Sequence, residues 1–202
     1  MGKVDENKRD KYERILSAAR ELFGTEGYEG TTADAIAKRA GVSKGSVFFH
    51  ASSKAALLNQ AFQIDMHRWV EDAFSQPAQD DVLEDLVAKF AALQVSMCLQ
   101  PELTRVYMSQ VAFAVDEHER TVETMSMLLG HTERIIDAAK AAGHIVPRID
   151  TRQLASNLFS IYFVRQMTWV AQPGGGVDLD VRDFLRPAFA AQIEPVLTGS
   201  GR

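Results

Sequence analysis

Thr31–Leu58 reads TTADAIAKRAGVSKGSVFFHASSKAALL, and the way this stretch folds decides how the rest of the chain is read. Thr31-Thr32 offers a cap for a short helix running through Arg39, with Ile36 and Ala37 facing inward, and Ser43 caps another from Lys44 to His50. Two short helices joined by about three residues with a glycine in the turn make a helix-turn-helix, whose second helix is presented to the major groove of DNA. Ala37 is small where the two helices cross, and Gly41 can take the positive φ of the turn without a Cβ clash. Val42 and Val47 fill the space below. The outward face of the second helix is left to Lys44, Ser46, Phe48, Phe49 and His50. Backbone amides near Thr32 and Ser43 suit phosphate oxygens, as does Lys54, while Lys44, Gly45 and Ser46 sit where base edges would be read.

Helical spacing continues on both sides, and no stretch alternates apolar and polar residues convincingly, so the chain reads as all-α. Upstream, a helix from about Asp10 to Thr25 places Ile15, Leu16, Ala19, Leu22 and Phe23 on one face and stops at Gly27. Ser53 caps a long fourth helix carrying Leu57, Leu58, Ala61, Phe62, Trp69 and Val70. Beyond the polar break 75–81, apolar spacing resumes with Val82, Leu83, Leu86, Val87, Phe90 and Leu93. Pro101 opens another helix, and a longer one runs from about Glu117 to Ala142. The segment from Thr151 to Ala171 is apolar nearly all round, so both its sides must be covered. A final helix is expected from about Asp180 to Leu197, kinked or delayed by Pro187.

Charge divides the chain the same way. Of 202 residues with a net charge of −5, residues 1–60 carry 10 Lys+Arg against 8 Asp+Glu, and 61–202 carry 12 against 19. A mildly basic head on an acidic body implies two modules with different partners. The expected organisation is a flexible tail over 1–9, a helix-turn-helix domain over 10–60 with its motif at about 32–51, and a larger helical domain over 61–202. The one cysteine, Cys98, can form neither an internal disulfide nor a Cys-rich zinc site. No apolar run approaches the roughly 18–20 residues of a membrane span, and the charged start is unlike a secretory signal. The expected location is the cytoplasm, with no membrane partner.

The pattern Ile15-Leu16-x-Ala18-Ala19-x-x-Leu22-Phe23, then Gly27-Tyr28-x-x-Thr31-Thr32-x₃-Ile36-Ala37-x-x-Ala40-Gly41-Val42-Ser43-Lys44-Gly45-Ser46, His50 and Ser53-Lys54-x-x-Leu57-Leu58 closely resembles the DNA-binding domain of TetR-family transcriptional regulators. The resemblance covers about residues 10–60; beyond it only the general layout of helices is similar. It implies DNA contacts from Thr32, Ser43, Lys44, Gly45, Ser46, Phe48, Phe49, His50 and Lys54. Two positions depart from the family pattern. Phe48 stands where a tyrosine hydroxyl commonly meets a phosphate, and Ala51 stands where a phenylalanine is common, leaving space that Phe49 or Leu57 is expected to fill.

The acidic module should then carry the sensor. Apart from Met1, every methionine lies between 66 and 167. Met66, Trp69, Phe90, Met97, Met108, Phe113, Met125, Phe159 and Phe163 would line an adaptable apolar cavity, or simply fill the core. Leu154, Leu158, Tyr162, Phe184, Leu185, Phe189 and Ile193 on the two C-terminal helices are the expected homodimer interface. No cofactor and no metal are expected, because His67, Asp116, His118 and His131 match no ligand spacing. The chain shows no Ser/His/Asp order and no phosphate loop, and Gly174-Gly175-Gly176 lacks a following lysine, which argues against an enzyme. The reading is a repressor released from a palindromic operator on double-stranded DNA by a small hydrophobic effector. The alternative is a helical interaction protein of the same fold with weakened DNA binding.

Overall fold

The computed structural model describes residues 3–111, 118–172 and 180–199. Nine α-helices are found among them: α1 (Lys3–Gly30), α2 (Ala33–Ala40), α3 (Lys44–His50), α4 (Lys54–Phe74), α5 (Val82–Cys98), α6 (Pro101–Val111), α7 (His118–Ala141), α8 (Thr151–Val170) and α9 (Val181–Ile193). They form two compact units. One comprises Met1–Met66 with Glu102–Thr121, the other His67–Pro101 with Val122–Arg202.

In the first unit, Ile15, Leu16, Ala19 and Phe23 of α1 are buried with Ile36 and Ala37 of α2, Val47 of α3, and Leu57, Leu58 and Ala61 of α4. The expected α1 face is therefore the observed one, though the helix begins at Lys3 and takes in residues read as a flexible tail. Its charged first turns carry i,i+4 pairs Arg9–Glu13 and Asp10–Arg14, which support helix at a level of a few tenths of a kcal/mol, roughly 0.2–0.5 each. At the far end Gly27 is non-helical (φ 72°, ψ 173°) and bends the chain where the spacing ended it. Arg20 joins α1 to α4 through a two-pronged contact with Asp65. Helix α6 belongs to this unit too: Tyr107 stacks on Phe62 with ring centroids 4.4 Å apart, and its hydroxyl accepts from Gln63 Nε2 at 2.9 Å.

In the second unit α5 packs on α9 and α9 on α8. Phe90 of α5 lies at the centre, 5.0 Å from the ring of Tyr162 and 5.1 Å from that of Phe189. The α4–α5 connection is anchored by a buried ion pair. Lys89 Nζ lies 3.1 Å from Asp85 Oδ1, Lys89 donates to the Gln76 carbonyl at 2.9 Å, and Asp85 accepts from the Gln79 amide at 3.0 Å. Asp81 caps α5 by accepting from the Leu83 and Glu84 amides.

Two expectations for the C-terminal part need correction. The last helix ends at Ile193 rather than Leu197. A 3-10 turn at Glu194–Val196 follows, after which Leu197 pairs with Ile145 in an isolated bridge. Pro195 has no amide hydrogen to continue an α-helix, whereas Pro187 is accommodated inside α9 without delaying its start. Nor is α8 covered on both sides within the chain: Leu154, Leu158, Tyr162 and Gln166 are buried, but Ser160, Val164, Met167 and Thr168 face outward.

Candidate nucleic-acid interface

The turn between α2 and α3 is built from both sides. Gly41 adopts the left-handed conformation (φ 65°, ψ 40°), and the Val42 amide donates back to the Ala37 carbonyl at 3.0 Å. Arg14 reaches across from α1, its Nε donating to the Ala40 carbonyl at 3.0 Å and its Nη2 to that of Gly41 at 2.9 Å. A guanidinium at a helix C-terminus satisfies orphan carbonyls and the negative end of the helix dipole together. Arg39 adds a two-pronged pair with Glu21 at 2.9 and 2.6 Å. The Glu21 partnership also raises the Arg39 pKa.

The helices α2, α3 and α4 are each capped as the sequence requires. Thr32 Oγ1 accepts from the Ala35 amide at 3.1 Å, Ser43 Oγ from the Ser46 amide at 3.2 Å, and Ser53 Oγ from the Ala56 amide at 3.0 Å. With Val47 buried beneath, α3 turns Lys44, Gly45, Phe48 and Phe49 to the surface, while Ser46 and His50 are half-buried. Lys44 Nζ is paired with Asp34 Oδ2 at 2.7 Å, both groups being well exposed. That pair is weak in water and readily exchanged for a phosphate. Lys54 is held more firmly. It donates to the Tyr28 carbonyl at 2.8 Å and lies 4.2 Å above the Tyr28 ring, so its ammonium locks the bent end of α1.

Phe49 does not fill the space beside Ala51, because its ring is 72% exposed. Ala51 is buried, as is Leu57, so a small residue is accommodated there without an aromatic plug. The Phe49 ring instead stands edge-on to His50, 5.1 Å away, and His50 lies 5.2 Å from the Tyr12 ring of α1. The Tyr12 hydroxyl bonds Gln60 Oε1 at 3.3 Å, and Gln60 Nε2 donates to the His50 carbonyl at 3.2 Å. Burial, followed by the charges of Lys11 and Lys8, lowers the His50 pKa below its ordinary 6.5. The sequence pattern gives no hint of this Tyr12–His50–Phe49 row, since its members lie on two helices.

These features coincide with a known profile. Residues 15–61 match the family described as bacterial regulatory proteins, tetR family. That segment is a tetR-family domain. The chain is 27% identical over 199 residues to the HTH-type transcriptional regulator UidR of Escherichia coli K12, with 93% of each chain covered. It is also 25% identical over 170 residues to the fatty acid metabolism regulator protein of Bacillus subtilis, spanning 81% of this chain and 85% of that one. Among solved structures, Thermus thermophilus FadR, a TetR-family repressor in complex with lauroyl-CoA, superposes with a TM-score of 0.69 at 23% identity, covering 93% and 95% of the two chains. The matched segment is therefore a DNA-binding domain of TetR type, and α2–α3 is its helix-turn-helix.

The residues expected either to line a sensor cavity or to fill the core fall in both units. Met66 and Met108 are buried in the first unit. Trp69, Phe90 and Met97 are buried in the second, where Met125, Phe159 and Phe163 are half-buried. Phe113 lies outside the described residues. Met97 Sδ faces the hydroxyl of Tyr162 at 3.8 Å and the amide of Gln166, polar neighbours that the apolar pattern concealed. A separate cleft of about 540 Å³ is lined by Phe74, Val82, His131, Arg134, Ile135 and Ala139 among others. None of these six belongs to the expected set.

The expected interface residues need a similar correction. Leu154, Leu158, Tyr162, Leu185, Phe189 and Ile193 are buried inside the unit, and Phe184 is half-buried beneath the Arg165 guanidinium, 4.7 Å from its ring. Tyr162 and Phe189 both meet the Phe90 ring of α5, and α8 and α9 pack on each other. The outward stripe of α8 includes Val164 at 62% exposure. Among the described residues no helix is long and apolar enough to cross a membrane.

Proposed function

We propose that this protein is a repressor that docks on a palindromic operator as a homodimer and is released by a small hydrophobic effector. The observation that carries the DNA half of this reading is α3 itself: a capped helix, seated on buried Val47 and braced through Arg14, with Lys44, Gly45, Phe48 and Phe49 outward. Thr32, Ser43 and Lys54 flank it as backbone and phosphate positions, and Ser46 and His50 lie half-buried on the helix itself. Residues 10–60 serve as the head and 61–202 as the sensor and dimerisation body, where the outward stripe of α8 supports pairing with a second copy. A two-fold dimer would set its two α3 helices about 34–36 Å apart, one turn of DNA.

The effector acts by binding better to the conformation whose heads fit the operator poorly, so that its differential affinity becomes a loss of DNA affinity. The methionine and aromatic side chains of the body support an apolar ligand. The lauroyl-CoA held by the Thermus relative makes acyl thioesters the first probes. Selection of genomic DNA by the purified protein, followed by titration with acyl thioesters and free acyl chains, tests both halves. Affinity should fall steeply with salt, and Lys44→Ala should flatten that slope by about one unit per lost phosphate contact, twice that in a symmetric dimer. Salt-independent binding would refute the reading.

A further inference from the structure

A soluble surface rarely displays two adjacent phenylalanines without use, and α3 displays Phe48 at 47% and Phe49 at 72% exposure. At 3.6 residues per turn, positions 45 and 49 lie about 160° around the helix from 47, the one side chain of α3 that is buried. Gly45 and Phe49 are thus the outermost line of the helix. Nothing within the chain requires a glycine at 45: its φ is not positive, and a Cβ there would meet no atom nearer than Ser43 Oγ at 3.8 Å. Its bareness leaves the space beside the Phe49 ring open to a groove floor.

The ring is also positioned in advance. His50 stands edge-on to it, Tyr12 backs His50, and Gln60 ties Tyr12 to the His50 backbone. A pre-set apolar group at the outermost point of a groove-reading helix has one match among base edges, the C5-methyl group of thymine. Lysine and serine, which flank it on α3, can read acceptors and donors but not a methyl group.

We infer that Phe49 is a specificity residue that reads a thymine methyl in each operator half-site, with Gly45 giving the close approach and His50 holding the ring. This rests on the proposed DNA-binding function, and the test separates the two. An operator selected from a random DNA pool is resynthesised with each thymine replaced singly by deoxyuridine, which removes only the methyl group. The native protein should lose roughly fourfold in affinity at one thymine per half-site, and roughly fifteenfold when both half-sites are changed, the scale of one buried carbon. With Phe49→Ala that penalty should vanish, and with Phe49→Leu part of it should remain. Because the side chain is exposed, both variants should keep the native melting temperature. An enriched operator whose thymines all tolerate deoxyuridine, or a penalty unchanged in Phe49→Ala, overturns the inference alone. A pool that enriches no sequence overturns the DNA-binding function and the inference with it.

Discussion

The two units use polar side chains in opposite ways. In the head, charged groups work from the surface on the ends of helices. Arg14 clasps the α2–α3 turn, Arg39 forks onto Glu21, and Lys54 closes the bend at Tyr28. In the body, the main ionic contact is interior: Lys89 and Asp85 are 4% and 5% exposed and tie the α4–α5 connection down through two further hydrogen bonds. The head is small, has little core to spend, and needs its helix ends held at defined angles to face DNA. The body can hide a charged pair because its surrounding core is large, with Leu86, Val87, Phe90 and Leu93 fully buried on the same helix. Surface clasps are individually weak and removable, whereas an interior pair fails badly when only half of it is lost.

That difference sets the largest expected effect. Lys89→Met leaves the Asp85 carboxylate buried without its cation, at a cost of about 3–5 kcal/mol. Adding Asp85→Leu should restore most of the loss, because two apolar residues fill a site that neither charge then needs. The readout is convenient: both tryptophans, Trp69 and Trp169, lie in the body, so urea unfolding followed by tryptophan fluorescence reports that unit. A loss below about 1 kcal/mol for Lys89→Met would mean the pair is no more consequential than the surface clasps.

In the head, the next largest effect belongs to the turn. Gly41→Ala forces a side chain into the left-handed region at about 1–2 kcal/mol and brings its Cβ to 3.0 Å from Arg14 Nη2. Gly143 in the body has a similar φ of 79°, but a Cβ there would meet nothing within 4 Å. Gly41→Ala should therefore destabilise more than Gly143→Ala, and operator affinity should fall only with the former. Equal effects on stability would show that Arg14 yields freely and that the clasp does little to hold the turn.

The same contrast explains what could be read in advance. The helix-turn-helix was legible because its determinants are local: a cap at Thr32, a left-handed Gly41 and a cap at Ser43 act within a few residues of one another. The body offered no such code. Leu158, Tyr162 and Phe189 are apolar whether they meet α5 or a second copy, so periodicity could not say which, and the structure places them inward. Likewise the Lys89–Asp85 pair reads as an ordinary i,i+4 surface pair until burial is known. In the first unit, the place of α6 depends on Tyr107 meeting Phe62 and Gln63, residues more than forty positions away in sequence.

The smallest effect is a test of the head's electrostatics through His50. Burial and the nearby Lys8 and Lys11 lower its pKa in the folded protein, so between the ordinary 6.5 and that lowered value the unfolded chain binds more protons than the native one. The neutral ring therefore contributes stability that is fully present above pH 6.5 and lost as pH falls through the folded value. Comparing urea midpoints of native protein and His50→Gln at pH 7.5 and 5.5, by far-UV circular dichroism, should show a shallower acid loss in the variant. Carboxylates titrate in both proteins and cancel in the comparison. Truncating Lys8 and Lys11 to alanine should reduce the native protein's acid loss in the same direction, but by less than His50→Gln, because desolvation is the leading cause of the shift and remains. Identical pH dependence in native protein and His50→Gln would mean that the ring is hydrated as in the unfolded chain, and the row from Tyr12 to Phe49 would then lose its rigid middle member.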